Sequence, residues 1–223
     1  SNFTIATVGF TVTSMSLPMM FFLQTARGLT PTEAALLLIP MAVLSGVLAP
    51  VAGKLLDRVD PRIILIPGLL CVAGALIWYS ALINMDTAIW MFLLPSALMG
   101  VGNAGMWGPL ATTATRKLPP RQAGAGAGIY NTTRTIGSVI GSASIAAFMQ
   151  SRLEANLPGL ADSPAGGSTG GTLPPQVAEG FAAGMSQAIL LPACVMVVAL
   201  IASLFLGRYD KTEAAAPVAA RAE

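Results

Sequence analysis

The chain has 223 residues, 54% of them hydrophobic and 10% charged, whereas a soluble domain carries about 25% charged side chains. A net charge of +2 gives no reason to expect a nucleic-acid partner. With no His, and with Cys71 and Cys194 each alone in an apolar block, the sequence supplies neither a metal centre nor a thiol catalyst, so no cofactor and no enzymatic activity is expected.

Six apolar blocks follow one another, each long enough to carry a helix across roughly 30 Å of hydrocarbon with every backbone amide satisfied internally. The first, Phe3–Leu23, stacks Thr4, Thr7, Thr11 and Ser14 on one helical face and is too long and too rich in hydroxyls for a cleaved signal peptide. Thr30-Pro31-Thr32-Glu33 then reads as a helix start, with Thr30 as N-cap, Pro31 at the first helical position and Glu33 closing a capping box. The second block is Ala34–Gly53 and the third is Ile63–Leu82. The fourth, Ala88–Thr115, aligns Ser96, Gly100, Asn103 and Trp107. The fifth, Ala123–Phe148, carries the most polar stripe, Tyr130, Asn131, Arg134, Ser138 and Gly141, with Gly137 and Gly141 spaced for close backbone approach.

A Gly-, Ser- and Pro-rich stretch, Leu157–Gln176, cannot build a packed core and reads as an external linker, with a lid over a pore mouth as the alternative. It lies within a loop at 150–178. The sixth block is Phe181–Leu206, and a tail occupies 209–223. Pro18, Pro40, Pro50, Pro67, Pro95, Pro109 and Pro192 fall within or near these helices and suggest bends around an opening.

An even number of crossings puts both ends on one side. Lys54, Arg58, Arg62, Arg116, Lys117, Arg121, Arg208, Lys211 and Arg221 belong to one set of loops and tails, against Arg27 and Arg152 in the other. By the positive-inside rule both ends of the segment are cytoplasmic.

Arg134 alone breaks the apolar interior. It lies about 20 Å along the helix from Arg121, a depth at which a charge is costly unless it faces protein or water. Intramembrane charges usually mark a substrate or ion path, and no acidic residue of the chain lies at that depth. A structural arginine tied to neighbouring carbonyls is the other reading.

The loop Gly53-Lys54-Leu55-Leu56-Asp57-Arg58-Val59-Asp60-Pro61-Arg62 resembles the G-x-L-x-D-R-x-x-x-R motif of the major facilitator superfamily, with Asp60 and Pro61 in place of the usual glycine and basic residue. Together with the run Gly128–Gly137 and the preceding Arg121-Gln122-Ala123-Gly124, the chain resembles the C-terminal six helices of fourteen-helix QacA/EmrB-type drug:proton antiporters. The resemblance implies an all-α membrane protein of the bacterial plasma membrane. Residues 1–208 would form one six-helix bundle of two inverted three-helix repeats, partnered by an N-terminal transporter half that this chain lacks. It further implies that the first, second, fourth and fifth helices line a central cavity, and that the proton-titrating acid lies in the other half.

The resulting expectation is a proton-coupled exporter of lipophilic or amphipathic compounds working by alternating access. Substrate contacts fall to Thr7, Thr11, Ser14, Asn103, Met106, Trp107, Tyr130, Asn131 and Arg134, with Met19, Met20 and Met106 as adaptable apolar surface. Gly53, Asp57, Arg58 and Arg62 would form a cytoplasmic latch. Two alternatives stand beside it. A lipid transporter on the same fold would place lipid in the cavity, with Arg134 meeting its phosphate, and a non-transporting membrane scaffold or sensor would need no internal polar stripes.

Overall fold

The computed structural model describes residues 2–115, 119–156 and 175–204, and every regular element among them is helical. Helix α1 (Asn2–Phe21) runs on through a π-helical turn at Phe22–Ala26. A short α2 (Pro31–Leu36) is followed by α3 (Ile39–Leu56) and α4 (Pro61–Leu82). A 3-10 turn at Ile89–Phe92 leads into α5 (Leu93–Thr115). Then come α6 (Ala123–Asn156) and α7 (Pro175–Leu204). Most of the external linker, the tail, and the basic residues Arg116, Lys117, Arg208, Lys211 and Arg221 lie outside the described residues.

Among the described residues, five helical stretches are long and apolar enough to cross a membrane: Asn2–Ala26, Pro31–Leu56, Pro61–Leu82, Ile89–Thr113 and Val177–Ser203. The expected fifth block is the exception. Its helix, α6, has 34 residues, about 51 Å at 1.5 Å per residue, but Gly, Ser, Thr, Asn and Arg dilute its apolar content below that of the others.

Caps and prolines account for the breaks. At Thr30 the capping box is complete: the Glu33 amide donates to Thr30 Oγ1 at 3.3 Å, and the Thr30 amide donates to Glu33 Oε2 at 2.8 Å. The second block, expected as one helix, is divided at Leu37–Leu38. Pro40 there has no N–H to give the preceding turn. The amide of Met41, in the first turn of α3, donates instead to Ser96 Oγ of α5 at 3.3 Å. Ser96 therefore ties α3 to α5 at the break. Asp60 and Pro61, which depart from the loop motif, start α4: the Asp60 carboxylate accepts the Arg62 amide at 3.1 Å and Pro61 takes the first helical position.

The main seams are α1 with α6 and α7, α5 with α3 and α4, and α4 with α7. Small residues set the closest of them. A Cβ at Gly137 would overlap the Ala6 carbonyl, and one at Gly141 would lie 2.6 Å from Phe10 O, so α1 and α6 meet backbone to backbone as the Gly137/Gly141 spacing predicts. At Gly100 a Cβ would stand 2.7 Å from Met41 O, which seats α3 on α5. The α4–α7 seam is closed by hydroxyls: Ser80 Oγ donates to Ser186 O at 3.0 Å and Ser186 Oγ donates to Ser80 O at 2.7 Å. Around these seams Phe22, Phe92, Leu65, Leu69, Leu76 and Met185 form a continuous apolar core. Helix α3, by contrast, buries none of its residues fully and exposes Ile39, Val43, Val47, Val51 and Leu55.

Candidate functional site

In the first half of α6, Tyr130 and Arg134 stand one turn apart, and on α5 Asn103 and Trp107 do the same. Helices α5 and α6 touch only sparsely, and the gap is bridged where the Arg134 guanidinium lies 5.5 Å from the centroid of the Trp107 ring. Trp107 and Tyr130 are half-buried and pack against the apolar core, while Arg134 and Asn131 are exposed. The result is an aromatic floor under two polar heads.

The hydrogen bonds around this cluster are telling. Asn131 Nδ2 donates to Ala127 O at 3.1 Å and the Thr135 hydroxyl donates to Asn131 O at 2.9 Å, both within α6. Ser138 reaches across to α1, donating to Gly9 O at 3.2 Å. Among the described residues, neither the Arg134 guanidinium nor the Asn103 amide donates to a protein acceptor, and Arg134 has no carboxylate partner. The arginine is fixed by its stem, whose Cγ packs over Gly9, and by the indole face.

The other expected contact residues separate from this cluster. Thr11 and Ser14 are wholly buried. Thr11 donates to Thr7 O at 2.9 Å and to Pro192 O of α7 at 3.5 Å, while Ser14 bonds Phe10 O and lies against Gly141. Both therefore serve the α1–α7 and α1–α6 seams and do not face an opening within this bundle, because a hydroxyl in a spanning helix is satisfied most cheaply by a nearby carbonyl. Met106 is fully buried in the core, and Met19 is nearly so. Thr7, half-buried, returns its hydroxyl to Thr4 O at 2.9 Å. Met15, Met19 and Met20 line a small apolar crevice with Leu38, Leu76, Tyr79 and Ile189, beside the break between α2 and α3.

At the loop motif, Gly53, Asp57 and Arg58 are exposed and Arg62 is half-buried. Asp57 is the C-cap residue of α3, and its carboxylate has no partner among the described residues. Sequence reasoning missed two polar features. Arg27 donates to the carbonyls of Met85 and Thr87, the latter at 2.8 Å, clamping the loop between α4 and α5 whose turn Asn84 Oδ1 organises through Thr87. The Ser80–Ser186 pair was also unforeseen. Its only signal was two serines in otherwise apolar helices.

Comparison with known proteins matches residues 2–142 to the Major Facilitator Superfamily. The chain is 45% identical over 210 residues to an uncharacterized MFS-type transporter of Mycobacterium tuberculosis, covering 92% of this chain and 36% of that protein. It is 28% identical to the lincomycin resistance protein LmrB of Listeria monocytogenes, over 83% of this chain and 37% of the relative. Against the tetracenomycin C resistance and export protein of Streptomyces glaucescens the identity is 28%, covering 87% and 41%. The chain thus spans between about a third and two fifths of the length of these relatives. With its apolar crossing helices and a match over more than half its residues, the chain belongs to the Major Facilitator Superfamily.

Proposed function

We propose that this chain is the C-terminal half of a proton-coupled exporter of lipophilic or amphipathic compounds, built as two inverted three-helix repeats with α6 as the sixth crossing. The packing supports the repeat. Exchanging the first three crossings (α1, α2 with α3, α4) for the last three (α5, α6, α7) turns the α1–α6 seam into α5–α3 and the α1–α7 seam into α5–α4, and returns α4–α7 to itself. The five main seams are unchanged by that operation.

The observation that carries the functional reading is an exposed arginine that lies over a tryptophan ring and has no carboxylate partner among the described residues, on the helix read as the sixth crossing. Asn103, Trp107, Tyr130, Asn131 and Arg134 are the substrate contacts in this half, and Thr7, Thr11, Ser14 and Met106 support the helices that present them. Several relatives are named for drug resistance or export, which favours small-molecule efflux. Gly53, Asp57, Arg58 and Arg62 act at the cytoplasmic end as a latch between inward- and outward-open states, both ends of the segment being cytoplasmic. The N-terminal half and membrane lipid are the partners.

Transport by the full-length protein in proteoliposomes, with and without an imposed proton gradient, tests this reading. Gradient-dependent export of a lipophilic compound is expected. Equal movement of compound without the gradient would contradict proton coupling, and no movement under either condition would contradict transport.

A further inference from the structure

Resting on that reading, we infer that Arg134 and Trp107 make this half of the site selective for amphipaths that carry an anionic group beside a planar apolar ring, against lipophilic cations. The charge balance around the cluster is one-sided. Helices α1 and α5 contain no Asp or Glu, and the only acid on α6 is Glu154, 20 residues beyond Arg134, or about 30 Å along the helix. The guanidinium has five N–H donors, and none is spent on a protein acceptor among the described residues. The indole ring, its centroid 5.5 Å away, is not a conventional acceptor, so the guanidinium keeps its donors for a carboxylate, sulfonate or phosphate.

One helical turn before Trp107, the Asn103 amide adds a donor without adding charge, and the rings of Trp107 and Tyr130, each packed against the core, offer apolar surface. An anionic amphipath would place its head on the fork and its ring on that floor. A lipophilic cation of the same shape would meet a like charge there, and would be disfavoured unless a carboxylate intervenes.

The test uses full-length protein in lipid nanodiscs and two fluorescent probes matched in shape, pyrenebutyrate and pyrenebutyl-trimethylammonium, with binding read by anisotropy and partition into empty nanodiscs subtracted. The anion should bind about tenfold or more tighter than the cation, as one charge-assisted contact supplies. Arg134→Lys should keep a weaker preference in the same direction, Arg134→Gln should erase it, and Arg134→Glu should invert it. Equal binding of both probes by the native protein, or binding of neither, overturns the inference, and so does a ratio that Arg134→Gln leaves unchanged. If the glutamine and glutamate variants fail to fold, the native and lysine ratios decide alone. A ratio that responds to Arg134 while neither probe is exported under a proton gradient would sink the transport reading and leave the charge selection standing.

Discussion

Substituting Gly137 by alanine tests whether α1 and α6 are held by backbone contact. The added Cβ would overlap the carbonyl of Ala6, and since both groups belong to helix backbones the only relief is to move α1 away from α6. That movement also loosens Gly141 against Phe10 and stretches the 3.2 Å bond from Ser138 to Gly9 O. Overpacking of this kind costs about 1–3 kcal/mol, and the weakened hydrogen bond about 0.5–1.5. Alanine returns about 1 kcal/mol of helix propensity. A net loss of about 2 kcal/mol is expected, lowering the midpoint of thermal unfolding by roughly 4–8 °C in a detergent-solubilised melt.

Gly74→Ala is the internal control. Its Cβ would meet only Leu98 Cδ2, at 3.9 Å, so the propensity gain of about 1 kcal/mol should appear undiminished and raise the midpoint. If both variants shift the midpoint in the same direction, backbone proximity does not set the α1–α6 seam.

The remaining predictions concern the other structural claims. Ser96→Ala removes the hydroxyl that accepts the Met41 amide and should destabilise the protein by about 1–3 kcal/mol, the cost of one group left unpaired; a midpoint like that of the native protein would show the break to be held by other contacts. Asp57→Asn should slow transport about tenfold, the loss expected where its carboxylate gains one charged hydrogen bond in another transport state, while leaving binding and expression intact. Loss of binding in proportion to transport would contradict the latch. With Cys71 and Cys194 removed, a cysteine at the exposed loop position Asp86 should react with an impermeant thiol reagent outside intact cells and one at Gln122 should not. Equal labelling would refute the orientation drawn from the Lys and Arg asymmetry.

Much of the architecture was legible because a bilayer leaves few alternatives. Charge-free blocks located the apolar crossings, Thr30 and Glu33 marked a helix start, and Gly137 and Gly141 announced a close seam. The site was less legible for a physical reason. Helical periodicity tells which residues share a face but not what that face meets. Thr4, Thr7, Thr11 and Ser14 do share one, yet Thr11 and Ser14 turn to neighbouring helices, while Tyr130, Asn131 and Arg134, with the same kind of spacing, remain at an open edge. Proline was equally ambiguous: Pro40 sits at a helix break, whereas Pro50, Pro67, Pro109 and Pro192 remain inside continuous helices. The Arg27 clamp joins residues about sixty apart, a pairing that no local pattern encodes.

The central claim is that Arg134 serves the transported compound and not the fold, and Arg134→Ala in the full-length protein tests it most directly. Export under a proton gradient and the midpoint of thermal unfolding should be measured on the same preparations. The account predicts that export is abolished or redirected to other compounds while the midpoint stays within about 2 °C of the native value, since an exposed guanidinium with no acceptor among the described residues leaves nothing buried unpaired there when removed. Normal export, or a loss of export matched by a loss of folded protein, would contradict it.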